Sequence, residues 1–219
     1  MPPALTVGTA VTRKIPESTV RRLSHYLRSL EEFEPEVGGT VSSEELAARG
    51  QTTAAQVRKD LSHFGSFGKR GLGYQVDQLR ARLRQILGVD RTWRVALVGA
   101  GRIGLALFEY PAFETRGYEC VAIIDVDPEK IGRTWGDVTI RGPDEFEATV
   151  RDLDVELVIL AVPATAAQVM AARAVDAGVK GILNFAPIRL NVPPSVPVED
   201  VTLVMELEAL SFAITQKER

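Results

Sequence analysis

The chain has 219 residues, 45% hydrophobic and 25% charged, with a formal net charge of −3, a composition typical of a globular protein with one or two domains. No run of 18 apolar residues occurs and the first residues lack a signal-peptide pattern, so we expect neither a membrane span nor export. The single cysteine, Cys120, excludes a disulfide framework and favours a reducing compartment, with the cytoplasm as the expected location.

The net charge hides an asymmetry between the two parts of the chain. Residues 1–88 carry 13 Lys and Arg against 9 Asp and Glu, whereas residues 89–219 carry 13 against 20. Within residues 51–88 the balance is 7 basic to 2 acidic side chains. A basic first part joined to an acidic second part indicates that the first contacts a polyanion. A basic face that is merely solvated is the alternative interpretation.

The beginning of the chain predicts a short arm followed by two helices. Residues 1–12 are rich in Pro, Gly and Thr without periodicity and predict a disordered arm. The segment PESTVRRLSHYLRSLEEF predicts a helix. Its apolar side chains recur at helical spacing and are Val20, Leu23, Leu27 and Leu30. SSEELAARG then predicts a short helix with a capping box between Ser42 and Glu45, ending at Gly50.

A third helix and a glycine-rich segment complete the first predicted domain, residues 13–88. Thr52 or Thr53 caps the helix in TTAAQVRKDLSHFG, whose apolar stripe is Val57, Leu61 and Phe64. The segment SFGKRGLGYQV spaces its glycines as in a hairpin with a basic tip. DQLRARLRQILG predicts one more amphipathic helix, and VDRTW marks a domain boundary near residue 90.

This order of elements is that of a winged helix-turn-helix domain. The helix after the turn can enter the major groove of DNA, roughly 12 Å wide, and the basic tip can contact phosphates or a minor groove. A helical domain that docks another protein is the alternative. The candidate DNA-binding residues are Thr53, Gln56, Arg58, Lys59, Ser62, His63, Lys69, Arg70 and Tyr74.

From residue 89 to 204 short apolar runs alternate with helical stretches. Runs such as RVALVG, CVAIID and ELVILAV are continuous and rich in β-branched residues. This alternation predicts an α/β domain of the Rossmann type, a doubly wound parallel sheet with both faces covered.

The glycine loop Gly99–Gly104 predicts the binding of a dinucleotide. Its sequence, GAGRIG, follows a predicted strand and opens a predicted helix, which is the context that this fingerprint requires. Asp125 ends the next strand and can accept hydrogen bonds from a ribose, which favours NAD(H) over NADP(H). Lys130 and Arg133 follow closely and weaken that preference. A glycine turn that binds nothing is the alternative.

Further residues at the ends of elements complete the candidate NAD(H) site. Ala161, Val162 and Pro163 end a strand where they can line a nicotinamide pocket, or Pro163 only terminates the strand. Tyr110 is either a pocket wall or ordinary packing. The candidate cofactor-binding residues are Gly99, Ala100, Gly101, Arg102, Ile103, Gly104, Tyr110, Asp125, Val126, Asp127, Lys130, Ala161, Val162, Pro163 and Asn184.

The second domain lacks an evident set of acid–base groups. It contains no histidine, and its one cysteine lies within a predicted strand. Because carboxylates can still act as bases, this lowers the odds of catalysis without excluding it. The pattern favours a sensor that is not an enzyme. The alternatives are a small dehydrogenase that uses a carboxylate such as Asp127, and a DNA-binding protein whose second domain is only a dimerisation scaffold.

Several segments carry a resemblance to a known family. KIPESTVRRL, VSSEEL, VRKDLSHFGSFGKRGLGY, GAGRIGLAL, DVDPEKIG, AVPA, GVKGILNFAP, RLNVP and LSFAI occur in this order between about residues 13 and 214. In these segments the chain resembles the Rex-type redox-sensing transcriptional repressors of bacteria. The resemblance implies a homodimer that binds an inverted-repeat operator when NADH is scarce and is released by NADH. It also implies that the C-terminal helix, within residues 205–219, crosses into the partner subunit.

One position departs from the family pattern. Where the family commonly has Asp, in the segment VEDVTLVMEL, this chain has Thr202. In the family that Asp is associated with a tyrosine and an arginine, which match Tyr110 and Arg28, so these three positions are the candidate switch residues. Threonine cannot form an ion pair. Either Asp200 or Glu206 substitutes for the missing carboxylate, or the switch works differently.

Overall fold

The computed structural model describes residues 15–32, 39–65 and 72–217. The chain divides into two compact units, here called the N-terminal and C-terminal units, between Asp90 and Arg91. The arm predicted over residues 1–12, and the predicted basic tip with Lys69 and Arg70, lie outside the described residues. Each unit is considered by itself below.

The N-terminal unit consists of helices and two short strands. Its elements are α1 (Glu17–Glu31), β1 (Thr40–Val41), α2 (Ser43–Arg49), α3 (Ala54–Ser62), β2 (Tyr74–Gln75) and α4 (Val76–Leu87). β2 pairs antiparallel with β1, placing Val41 opposite Tyr74. The hairpin predicted after α3 lies largely outside the described residues, and the described strand of that segment, β2, pairs with the strand that precedes α2.

The turn between α2 and α3 follows the predicted capping pattern. Glu45 N donates to Ser42 Oγ at 3.1 Å while Ser42 N donates to the Glu45 carboxylate, so the predicted capping box is present. Thr53 caps α3 by accepting a hydrogen bond from Gln56 N at 3.1 Å. Gly50 ends α2 where a Cβ would lie 3.0 Å from the Tyr26 ring, so a side chain there would crowd α1.

The buried face of α1 differs in part from the predicted one. Leu23, Leu27 and Leu30 are buried as predicted, but Val20 is 41% exposed. Tyr26 is fully buried instead. Because spacings of three and four residues both fit a helix, the sequence leaves the exact centre of the apolar face open. In the structure the buried face of α1 is rotated by about one residue, so that Thr19 is buried and Val20 is not.

The C-terminal unit is built on a seven-stranded sheet. Its elements are β3 (Trp93–Val98), α5 (Arg102–Phe108), α6 (Pro111–Thr115), β4 (Tyr118–Ile124), β5 (Thr134–Trp135), β6 (Val138–Arg141), α7 (Phe146–Asp152), β7 (Leu157–Leu160), α8 (Ala164–Asp176), β8 (Gly181–Asn184), β9 (Val198–Asp200) and α9 (Leu203–Lys217). The strands follow the order β5-β6-β4-β3-β7-β8-β9. Only the edge strand β5 pairs antiparallel. Counted among themselves, the six parallel strands run 3-2-1-4-5-6, the Rossmann order, which confirms the predicted fold class.

The two faces of this sheet are covered differently. On one face α7 and α8 pack Phe146, Val150 and Met170 onto the buried strand residues. The other face is only partly covered, by Phe108 and Phe113 among others. Two cavities of about 500 and 610 Å³ remain on it, of which the larger is largely apolar. Within the described residues the second face is therefore covered in part, by α5 and α6, and less completely than the first.

The C-terminal helix α9 has no contact that buries it. Every residue from Leu203 to Lys217 is exposed. Its large apolar side chains are Leu203, Val204, Met205, Leu207, Leu210, Phe212 and Ile214. Among the described helices, none combines the length and the apolarity needed to cross a bilayer.

Candidate functional site

The glycine loop connects β3 to α5 at the carboxyl end of the sheet. Gly99 has a positive φ of 103°, and a Cβ there would clash with the carbonyl oxygen of Ala161. Gly104 packs so closely on the strand end that a Cβ would clash with the Gly99 carbonyl. These two glycines are explained by the fold itself, through a left-handed backbone and a close helix–strand contact.

Gly101 differs from both. Its φ of −85° and ψ of −170° are accessible to any residue. A Cβ at this position would meet no atom within 4 Å. Neither backbone strain nor crowding therefore requires glycine at this position. The open space over the Gly101 backbone fits the close approach of a bound molecule.

Asp125 holds the loop from the end of β4. Its Oδ2 accepts a hydrogen bond from Ala100 N at 2.6 Å, and its Oδ1 accepts one from Asp127 N at 2.8 Å. Lys130 Nζ lies 3.6 Å from Asp125 Oδ2 and 3.4 Å from Asp127 Oδ2. The Asp125 side chain is only 9% exposed, so this carboxylate orders the loop as well as facing the cavity beside it.

A cavity of about 260 Å³ lies between the glycine loop, the end of β4 and the start of α8. Eight of the predicted cofactor-binding residues line it, namely Gly99, Gly101, Asp125, Val126, Lys130, Ala161, Val162 and Pro163. Five lining residues were not predicted, namely Val98, Ile124, Pro143, Ala166 and Met170. Pro143 and Met170 come from segments with no recognisable motif, and only the packing of α7 and α8 brings them here.

Other predicted residues lie beside this cavity or away from it. Five of them lie next to the cavity in sequence but do not line it: Ala100 and Asp127 in the loops after β3 and β4, and Arg102, Ile103 and Gly104 in the first turn of α5. Asn184 is 1% exposed and lies elsewhere. Its amide nitrogen donates to Asp200 Oδ1 at 2.8 Å and Ile188 O at 2.8 Å, and its oxygen accepts from Ala186 N. Asn184 thus joins the loop after β8 to β9.

The three predicted switch residues have separate surroundings. Tyr110 is 54% exposed, packs edge-on against Phe113 at 5.4 Å, and lines the 500 Å³ cavity on the open sheet face. Arg28 pairs with Glu32 at 3.1 Å on the exposed surface of α1. Thr202 is exposed just before α9 and accepts a backbone hydrogen bond from Met205 N. Tyr110 does not line the cavity beside the glycine loop of its own chain.

The two carboxylates suggested as substitutes also differ. Asp200 Oδ1 is engaged by the Asn184 amide at 2.8 Å. Glu206 lies in the first turn of α9 and is exposed. Of the two, Glu206 is the carboxylate on the uncovered helix.

Helix α3 presents most of its predicted DNA-binding side chains to solvent. Thr53, Arg58, Lys59, Ser62 and His63 are exposed, whereas Gln56 and Tyr74 are half-buried. Arg58 Nη1 donates to Ser43 Oγ at 2.7 Å and lies 3.2 Å from Glu44 Oε1, which lays its side chain across the start of α2. The exposed side chains of α3 include the cations Arg58 and Lys59. This exposed side of α3 is called the basic surface below.

Beneath that surface lies a buried carboxylate that the sequence analysis did not single out. Asp60 is fully buried, and Arg22 from α1 binds it through Nε at 2.6 Å and Nη2 at 2.8 Å. Tyr26 Oη donates to it at 3.0 Å. Burial raises the pKa of Asp60, but the hydrogen bonds from Arg22, Gln56 and Tyr26 outweigh burial and hold this pKa below its usual value.

The pKa of Tyr26, whose phenol contacts Asp60, is raised and not lowered. Burial, together with the hydrogen bond to the Asp60 carboxylate, raises the pKa of Tyr26 to about 12. Because the phenol therefore keeps its proton at neutral pH, it remains a hydrogen-bond donor to Asp60.

Two family models match the chain, one in each unit. The model described as a putative DNA-binding protein N-terminus matches residues 14–62, which include α1 to α3. The model described as a CoA binding domain matches residues 90–188, which include the glycine loop and most of the sheet. The basic surface and the cavity thus fall in separately recognised segments.

Full-length relatives match both units together. The chain is 48% identical over 201 residues to the redox-sensing transcriptional repressor Rex of Carboxydothermus hydrogenoformans, covering 92% of this chain and 97% of that protein. The identity to the Rex protein of Thermus thermophilus is also 48%, over 92% of this chain and 94% of that protein.

Solved structures match over the same extent. The crystal structure of RSP, a Rex-family repressor, in complex with β-NAD+ and operator DNA has a TM-score of 0.87 and 36% identity, covering 94% of this chain and 95% of that chain. The structure of RSP with β-NADH has a TM-score of 0.84 and 35% identity, covering 94% and 97%.

Proposed function

This chain belongs to the Rex family of redox-sensing transcriptional repressors, and on that premise we propose that it binds operator DNA and is released from it by NADH. The observation that carries the proposal is the open space over Gly101 beside a cavity that Asp125 borders. The same chain carries the exposed basic surface of α3. A nucleotide site and a DNA-reading helix in one chain are the two parts that a ligand-controlled repressor requires.

The residues around the cavity fit a dinucleotide. The backbone at Gly101 leaves room for a pyrophosphate, and Asp125 Oδ1 and Oδ2, each with one bond donated to it, have further lone pairs for ribose hydroxyls. The apolar walls at Ala161, Val162 and Pro163 suit a neutral ring better than a cationic one, because burying an unpaired charge is costly. This contrast favours the reduced nicotinamide, which is neutral, over the oxidised one.

The cavity is better suited to sensing than to catalysis. Its lining contains two ionisable side chains, Asp125 and Lys130, within the part of the chain that the structure describes. Lys130 is paired with Asp125 and Asp127, and Asp125 holds the glycine loop. Groups engaged in this way are poorly placed to exchange protons with a substrate. We therefore assign the nucleotide the role of a signal and the chain no enzymatic activity.

The proposed repressor is a homodimer that reads an inverted repeat in the cytoplasm, where its DNA lies. Helix α9 exposes a row of apolar side chains, among them Leu207, Leu210 and Ile214, and the open face of the sheet carries a largely apolar cavity of about 610 Å³. Burying each surface in a second copy removes both from water. A two-fold dimer also matches the two half-sites of a palindromic operator.

Release requires the nucleotide to bind one arrangement of the DNA-reading units more tightly than the other. A ligand with equal affinity for both shifts nothing. A nearly complete switch needs roughly 5.5 kcal/mol of differential binding, so two sites in a dimer contribute about 2 to 3 kcal/mol each.

Fluorescence anisotropy of a labelled duplex at fixed salt tests the proposal. The duplex is first selected by the protein from a random pool, and then NADH and NAD+ are titrated separately into the complex. We expect release by NADH at concentrations where NAD+ has little effect. Operator affinity that is equal with and without saturating NADH contradicts the proposal, and conversion of a substrate by the protein contradicts the assignment as a non-enzyme.

A further inference from the structure

The buried carboxylate of Asp60 joins the helix of the basic surface to α1. Asp60 lies on α3, and the residues that bind it from α1 are Thr19, Arg22 and Tyr26. Arg22 binds both carboxylate oxygens, a two-pronged geometry that fixes direction as well as distance. The Arg22 side chain is 26% exposed and that of Asp60 1%, so solvent screens this ion pair little.

The same carboxylate also holds a side chain that is proposed to read DNA. Gln56, one turn before Asp60 on α3, donates from Nε2 to Asp60 Oδ1 at 2.8 Å. This bond fixes which end of the Gln56 amide is the oxygen. Among the described residues Oε1 receives no hydrogen bond, and the second Nε2 hydrogen is also available. An acceptor and a donor side by side match the N6–H and N7 of adenine in the major groove.

We propose that Asp60 is the positioning residue of the DNA-reading helix: it fixes α3 against α1 and holds the Gln56 amide in the orientation that reads a base. The inference rests on the proposed function, in which α3 enters the major groove. Asp60 itself is buried and touches no DNA. Its effect is on the selection of sequence, because phosphate contacts hold a protein on DNA whereas base contacts choose the site.

Asp60→Asn separates this role from simple attachment to DNA. The substitution keeps the size of the side chain but removes its charge, and its new N–H group faces the Arg22 donors. We expect the ratio of affinities for the selected duplex and for an unrelated duplex of equal length to fall at least tenfold. Affinity for the unrelated duplex and for NADH stays unchanged, because exposed Lys59 and the nucleotide cavity are not altered.

The decisive measurement identifies the base pair at which each variant loses discrimination. We expect Asp60→Asn and Gln56→Ala to lose discrimination at the same base pair of each half-site, measured with singly substituted duplexes. Asp77→Asn is the matched control, since Asp77 also pairs with an arginine, Arg80, at 3.2 Å but has a 72% exposed side chain. This control is expected to leave discrimination at every position unchanged.

A second variant keeps the test valid if Asp60→Asn does not fold. Tyr26→Phe keeps the buried ring and the Asp60 charge but removes the hydrogen bond from the phenol to Asp60, so we expect the same base pair to lose discrimination to a smaller degree. Folded Asp60→Asn and Tyr26→Phe variants with a wild-type affinity ratio overturn the inference. If Arg58→Ala weakens binding to the selected duplex while Asp60→Asn and Tyr26→Phe leave the affinity ratio unchanged, the inference fails but the proposed function stands. If Arg58→Ala also has no effect, α3 is not the reading helix and the proposed function fails with it.

Discussion

At the scale of single residues, the glycine loop contains glycines that serve different purposes. Gly99 adopts a positive φ and touches the backbone of the neighbouring strand, so it is needed for folding. Gly101 has an ordinary conformation and an empty space where a side chain would be. Both belong to one sequence pattern, which predicts a dinucleotide loop and gives the two glycines the same role. The structure shows that the fold requires glycine at position 99 but not at position 101, where we assign the open space to a ligand.

We therefore expect opposite effects from two matched substitutions. Gly101→Ala should leave the free energy of unfolding within about 0.5 kcal/mol of the wild type, because the added methyl meets nothing. It should weaken NADH binding at least tenfold, because the methyl occupies space that we assign to the pyrophosphate. Gly99→Ala should destabilise the protein by about 1 to 3 kcal/mol or more through backbone strain and the clash with Ala161. Urea unfolding and an NADH fluorescence titration measure the two effects.

At the scale of elements, an ion pair joins the helices on the covered face of the sheet. Arg173 on α8 binds both carboxylate oxygens of Glu147 on α7, at 2.6 and 2.7 Å, and donates to Pro143 O at 2.6 Å. It also lies 3.8 Å from the sulfur of Met170. Because Pro143 and Met170 both line the cavity beside the glycine loop, this ion pair fixes two of its walls.

The ion pair predicts a dependence of stability on pH. Hydrogen bonds from Arg173 lower the pKa of Glu147 to about 2, well below the ordinary value of 4.5. A carboxyl group whose pKa is lower in the folded state stabilises it above pH 4.5, and this contribution is lost as the pH falls from 4.5 towards 2. We expect it to be about 1 kcal/mol, because the Glu147 side chain is 35% exposed and solvent screens the pair.

Glu147→Gln isolates this contribution. Urea midpoints measured between pH 6 and pH 3 should fall less steeply for the variant than for the wild type. Glu145→Gln serves as control, since Glu145 is 55% exposed and lies 3.8 Å from Arg141. Parallel curves for the wild type and Glu147→Gln would show that this ion pair does not contribute.

How far the sequence predicts each element depends on how local its cause is. The capping box at Ser42 and the glycine loop ahead of Asp125 involve residues close in sequence or at a known spacing, and both were found. The role of Asp60 depends on Arg22, 38 residues away, and no local pattern distinguishes a buried Asp from an exposed one. The apolar face of α1 was misplaced at Val20 because helical periodicity tolerates a one-residue rotation.

At the scale of the whole molecule, two apolar surfaces remain uncovered in the single chain. One is α9, and the other is the sheet face with its cavities of about 500 and 610 Å³. The large apolar side chains of α9 are 49% to 70% exposed in the single chain. Exposed apolar surface on this scale is typical of subunit interfaces. The proposed dimer accounts for both surfaces with one interface.

The double substitution Leu207→Glu and Leu210→Glu tests this interface. The two side chains are 62% and 57% exposed in the single chain, so their replacement should not unfold it. If they are buried in the dimer, each contributes about 2 kcal/mol, and the dissociation constant should rise at least a hundredfold. Sedimentation equilibrium measures this constant. Glu208→Gln, also exposed on α9, is the control, and an unchanged constant for the double variant contradicts the proposed interface.

The position of α9 has a genetic consequence if it is buried in a second copy. A subunit with a defective α3 but an intact α9 would still pair with a wild-type subunit, and the mixed dimer would hold only one working half of an inverted repeat. Alleles altered on α3 should then be dominant over the wild type. Alleles that lose the apolar row of α9 should be recessive, because their products never reach the wild-type subunit.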